Sequence, residues 1–274
     1  ITDIPAYSGK PVVTLIGMDL TGKFVGVKIL KHSEPILLLG IPESELLKFN
    51  DQYIGRMVTD KLEVGKSRPD DDVIGLDAIS GATVTVIAQN QVMMTSGAAV
   101  ARQVGIIAPK VRQPVVYAQP AAGQAALDWD TLVKQGAVKK VVVRTDQVGL
   151  EKSRDPYIEL WFGALNSPVL GPAILGETSW RNLMGQLKEG ENAIFVIRTA
   201  GRESFKGSGF VRGGIYDRIL VHQDGDSFSF RDSDALNLYG IQAANAPRFT
   251  ESGIFLIRSN AFSAAYPWTF SFLG

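Results

Sequence analysis

The chain has 274 residues, 45% apolar and 20% charged, and its 28 basic and 28 acidic side chains cancel to zero net charge at pH 7. That length suits two ordinary domains, each with its own core, and the neutral balance points to no nucleic acid and no acidic partner. The absence of cysteine excludes disulfides, thiolate-held zinc and iron–sulfur clusters within these residues, and only two histidines, His32 and His222, argue against a multi-histidine metal site.

Val12 to Met18 is an apolar run that predicts a strand. Gly22 marks a turn, and Phe24 to Leu30 predicts a second strand, with Val25, Val27 and Ile29 alternating with Gly26 and Lys28. The longest strongly apolar run, Pro35 to Pro42, is far too short to span a bilayer. No segment has the layout of a signal peptide, and a start at Ile1 without methionine is expected of a trimmed or processed polypeptide. Pro42-Glu43-Ser44-Glu45 predicts the start of a short helix, with Leu46, Leu47 and Phe49 on its apolar side. Asp51 to Leu62 is mixed. Gly65 to Asp72 predicts an exposed loop leading to Val73-Ile74-Gly75, and its Asp70-Asp71-Asp72 run lacks the spacing of a calcium loop, so it reads as solvated acid.

Asp77 to Thr85, DAISGATVT, follows. Asp77 and Ser80 are residue types that cap helices, and Gly81 tolerates backbone angles closed to other residues, so a turn and then a helix are expected from Ser80 to Thr83. Gly81 and Ala82 add little bulk and would leave the Thr83 hydroxyl within reach of a modifying enzyme. A phosphodiester there would meet unpaired N–H groups and the positive end of the helix dipole. A capped helix without a ligand accounts for the same residues on composition alone. The helix should run from Thr83 to Gly105, with Val86, Asn90, Met93, Gly97, Val100 and Val104 at helical spacing and a kink near Thr95-Ser96-Gly97. Met93 and Met94 read as core filler.

Ala108 to Leu127, with Pro109, Pro114, Pro120 and Gly123, predicts a linker. Beyond it the chain reads as β-rich with two short helices, one capped by Asp128 and stopping at Gly136, the other capped by Ser179 and ending near Gly190. Strands are expected over 138–145, 157–164, 193–199, 215–223, 227–231 and 253–258. The stretch Arg198 to Arg218, basic and glycine-rich, reads as a pair of hairpins with exposed charges, or else as an anion-holding loop.

The pattern Asp-x-x-Ser-Gly-Ala-Thr ending on Thr83 resembles the flavinylation motif of the FMN-binding domain family. In that family a flavin transferase joins the FMN phosphate to the last threonine. Further segments resemble one branch of it, the periplasmic part of a membrane flavoprotein that accompanies nitrous oxide reductase, and its close relative in nitrite reduction. They are His32 to Pro35, Ile41 to Glu43, GPAILGETSW at Gly171 to Trp180, ESFKGSGFVRGGIYDR at Glu203 to Arg218 and APRFTESGIF at Ala246 to Phe255. The resemblance implies an α+β chain made of an FMN-binding domain (1–107, an antiparallel sheet with helices), a linker (108–127) and a β-rich accessory domain (128–274). It implies covalent FMN on Thr83, with Asp77, Ser80, Gly81, Ala82 and Thr85 as further cofactor-binding residues. His32 and Glu34, which follow a strand in the same domain, are expected to line the flavin pocket, although a polar turn explains them equally well. The expected partners are a flavin transferase, nitrous oxide reductase or its assembly factors, and the membrane and iron–sulfur part of the same full-length protein. The expected role is periplasmic electron transfer as the soluble part of an inner-membrane protein, without a substrate reaction of its own. A docking module for the copper enzyme, its flavin not essential, is the alternative.

Overall fold

A computed structural model describes residues 4–273 apart from 5, 37, 39, 66–72, 109–116, 118–126, 208, 209, 211 and 225. The acidic run 70–72, Gly209 and nearly all of the expected linker lie outside the described residues. The chain is α+β and divides into two compact units, residues 1–113 with 213–215 and 222–228, and residues 114–212 with 216–221 and 229–274.

In the first unit β1 (Val13–Met18) and β2 (Phe24–Lys31) pair antiparallel, as the alternation predicts. Gly22, at φ 89°, makes the turn between them, where the Asp19 carboxylate accepts the N–H groups of Thr21 and Lys23. Helix α1 (Glu43–Asp51) starts directly after Pro42. It buries Leu46 and Phe49, whereas Leu47, expected on the same side, is half exposed. At 100° per residue Leu47 lies roughly 160° around the helix from Phe49, too far for one buried stripe. β3 (Lys61–Val64) and β4 (Val73–Leu76) form a parallel pair of four residues each, too short for a periodic pattern to reveal.

Helix α2 (Thr83–Gln103) runs unbroken through Thr95, Ser96 and Gly97, where a kink was expected. Gly97 serves packing instead: a Cβ there would lie 2.9 Å from the ring of Phe24, which is fully buried. Met93 and Met94 are buried in the core with Phe24, Leu46, Phe49, Tyr53 and Val86. Val100 and Val104 do not continue that face. Both are exposed, and the buried side passes through Ala98 and Ala101. The helix also buries polar groups that hold its neighbours. Gln89 Nε2 donates to Asn50 Oδ1 (2.9 Å). Asn90 accepts the Tyr53 hydroxyl (2.9 Å) and donates to Leu62 O (2.9 Å). Pairing of this kind is what permits polar side chains inside a core.

In the second unit α3 (Trp129–Lys134) follows Asp128, whose carboxylate accepts the Thr131 N–H at 2.8 Å, and Gly136 (φ 73°) ends the segment as expected. Next along the chain come β5 (Lys139–Val143), β6 (Ile158–Ala164), α4 (Leu170–Leu175), α5 (Glu177–Gln186), β7 (Asn192–Gly201), β8 (Ile215–Gln223) and β9 (Asp226–Arg231), each of these last two with residues in both units, then β10 (Ala235–Leu236), β11 (Glu251–Ile257) and β12 (Thr269–Phe272). One sheet has the order β10-β11-β7-β6-β5, antiparallel throughout, and a second has the order β12-β8-β9. The central strand β7 buries Ala193 to Ile197 without a break.

Two expectations fail here. Ser179 does not cap its helix: α5 begins at Glu177, behind Gly176 at φ 77°, and α4 precedes it unforeseen. The Gly171-Pro172 pair disguised α4, but Gly171 is there for contact. The Trp180 indole N–H donates to Leu165 O at 2.8 Å, across a space that a Cβ on Gly171 would fill. Nor is Arg198 to Arg218 a pair of hairpins, because the chain leaves one sheet at Gly201 and enters the other at Ile215. Some of its charges are paired: Arg218 Nη1 donates to Glu203 Oε2 (2.9 Å), and Glu251 receives the Ser204 hydroxyl (2.6 Å) beside Arg198 (3.5 Å), whereas Arg202 and Arg212 are exposed.

Candidate functional site

The residues singled out in sequence fall into two groups around the start of α2. His32, Glu34 and Thr85 form the first. The Glu34 carboxylate is 6% exposed and accepts the N–H groups of Tyr7 (3.1 Å) and Ser8 (3.0 Å) together with the hydroxyl of Thr85, itself buried. Three donors to one buried carboxylate satisfy it and fix the segment around Tyr7 to the first turn of α2. The Glu34 N–H in turn donates to His32 Nδ1 (3.3 Å). A neutral His32 therefore carries its proton on Nε2, which lies 3.5 Å from the Glu43 carboxylate.

Asp77, Ser80, Gly81, Ala82 and Thr83 form the second. Asp77, Ser80, Gly81 and Thr83 are exposed, and Ala82 is buried against the core. Gly81 adopts φ 79°, a left-handed turn that a side chain would strain, and Ala82 N–H donates to Ile79 O (3.0 Å). Thr83 is the first residue of α2, as expected. Neither Ser80 nor Asp77 caps the helix: Ala82 occupies the cap position, and among the described residues no side chain accepts there. The first intrahelical bond runs from Val86 N–H to Ala82 O, so the N–H groups of Thr83, Val84 and Thr85 have no intrahelical acceptor. No acidic residue stands in the first turn. An exposed hydroxyl beside uncapped N–H groups and away from helix-borne carboxylates fits a phosphodiester in charge and space.

Gln52 escaped the sequence reading. Immediately after α1, its side-chain amide accepts the Asp77 N–H (2.7 Å) and donates to Asp77 O (3.2 Å), which pins the first residue of the motif. Only the fold brings together residues 25 apart, and a lone glutamine carries no pattern.

Residues 7–95, which hold this whole arrangement, match the family model described as the FMN-binding domain, so the chain carries such a domain. Over its full length the chain is 39% identical to the protein named "Regulatory protein NosR" of Pseudomonas aeruginosa and 37% identical to that of Stutzerimonas stutzeri, covering 40% of each. "Protein NirI" of Paracoccus denitrificans is 24% identical over 91% of this chain and 36% of its own length. The chain is an FMN-binding region of the NosR/NirI type, and it spans about two fifths of the length of the curated NosR relatives it matches. No solved structure matches it significantly. Among the described residues, no helix is long and apolar enough to cross a membrane.

Proposed function

We propose that Thr83 carries FMN through a phosphoester placed there by a flavin transferase. On this reading the chain is the periplasmic electron-transfer part of an inner-membrane flavoprotein that supports nitrous oxide reductase activity or maturation in denitrification. The observation that carries the reading is the exposed Thr83 at an uncapped helix start, inside the stretch that matches the FMN-binding domain. The similarity to NosR and NirI supports the respiratory setting. Asp77, Ser80, Gly81 and Ala82 shape the turn that presents Thr83. Glu34 holds the first turn of α2 through the Thr85 hydroxyl, and His32 accepts the Glu34 N–H. The division into a flavin domain (1–107), a linker (108–127) and an accessory domain (128–274) belongs to the same reading.

FMN supplies the redox chemistry when bound, and the chain's residues set its surroundings by charge and hydrogen bonding. A covalent bond holds the cofactor at high local concentration without tight noncovalent binding. Thr83→Val removes the hydroxyl with little change of shape. After coexpression with a flavin transferase it should fold like the wild type and carry no covalent flavin, read by denatured intact mass. Covalent flavin retained in that variant contradicts the assignment. Copper-enzyme activity that persists in cells holding only Thr83→Val favours the docking alternative.

A further inference from the structure

The loop that presents Thr83 is held at both ends. At its far end Ala82 is buried and its N–H donates to Ile79 O. At its near end β4 is paired with β3 through Leu76, whose carbonyl also accepts the Gly65 N–H at 2.8 Å. Among the described residues, no strand pairs with the next residue, Asp77. There the Gln52 amide supplies both main-chain bonds that a neighbouring strand would have given. Gln52 is itself held at the end of α1, its N–H donating to Phe49 O at 3.3 Å. The Asp77 main chain is exposed, and water could satisfy it equally well. The side chain's contribution is therefore chiefly geometric: it fixes where the turn 78–81, exposed except at the partly buried Ile79, begins.

We propose that Gln52 is a positioning residue for cofactor attachment, holding the turn in the shape the flavin transferase reads; this rests on Thr83 being the attachment site. In the transfer, Thr83 Oγ bonds to the FMN phosphorus of a flavin dinucleotide and the P–O–P bridge breaks. The nucleoside monophosphate leaves with the bridging oxygen, and the hydroxyl proton passes to a base of the transferase. Gln52 touches none of these atoms. It acts through Asp77, so its loss should weaken recognition of the chain rather than slow the bonded step.

The test uses the 274-residue chain as wild type, Gln52→Ala and Gln52→Glu, with purified transferase and flavin dinucleotide. Initial rates of mass gain are read against chain concentration, and unfolding of each variant is followed in parallel by circular dichroism. Gln52→Ala should lower kcat/KM roughly ten-fold through KM, with kcat nearly unchanged and the protein folded at the assay temperature. Gln52→Glu keeps the acceptor for Asp77 N–H and loses the donor to Asp77 O, so it should fall between the two. Wild-type kcat/KM in both variants, with Thr83 labelled, overturns the role of Gln52 and leaves the attachment reading standing. A loss that only tracks the unfolded fraction, or that falls on kcat alone, also overturns it. Wild-type chain that gains flavin elsewhere, or none, overturns the Thr83 reading and this inference together.

Discussion

Thr83 and Thr85 stand two residues apart in the first turn of α2 and differ in what surrounds them. Thr83 is exposed, whereas Thr85 is 1% exposed and donates to Glu34. In sequence the motif ends on Thr83, and Thr85 lies two residues beyond it as a further expected cofactor-binding residue. Burial separates the two further, because a hydroxyl engaged with a buried carboxylate is not open to a transferase. Thr85→Val leaves Glu34 short of one donor inside the protein, which should cost about 1–3 kcal/mol. Urea unfolding should show a lower midpoint, while folded Thr85→Val still gains flavin on Thr83. Wild-type stability combined with loss of attachment would contradict this division of labour. The glycine at 81 was legible for its conformational freedom. Gln52 was not, since its role exists only once α1 and the end of β4 lie side by side.

Among the elements, long periodic segments were readable and close contacts were not. β1, β2, α1, α2 and the main strands of the second half follow from period and punctuation, whereas β3, β4, α4, β10 and β12 are too short or too disguised by glycine and proline. Gly97 and Gly171 look like weak points in a helical pattern, yet both are required by a ring that passes over them. Gly97→Ala gains about 1 kcal/mol of helix propensity, against an overpacking cost of about 1–3 kcal/mol from the fully buried Phe24. The net result should be a loss near 1 kcal/mol by urea unfolding, and any gain would mean that Phe24 gives way easily. Gly171→Ala meets the Trp180 indole at 2.1 Å and threatens its bond to Leu165 O. A loss on the order of 3 kcal/mol or more is expected, together with a changed tryptophan emission spectrum. The segments around Gly171, Glu203 and Glu251 thus supply packing and pairing contacts, Gly171 beneath Trp180, Glu203 to Arg218 and Glu251 to Ser204.

For the whole molecule, a hydrophobic core within each compact unit agrees with what 274 residues and 45% apolar content permit. Burial holds the His222 pKa below its ordinary 6.5, and its Nδ1 lies 2.8 Å from the Ser227 hydroxyl. An unfolded chain takes up a proton there that the folded one resists. The stability linked to His222 is therefore complete above pH 6.5 and is lost as the pH falls below it. Urea midpoints should drop between pH 7.5 and 5.5, and His222→Gln should flatten that slope; an equal slope in the variant would place the cause elsewhere. The bond between Thr83 and FMN is read from the denatured intact mass of the chain coexpressed with a flavin transferase, followed by peptide mapping. One FMN unit is expected on the peptide that contains Thr83. An unmodified mass, with the same transferase active on another target, would contradict it.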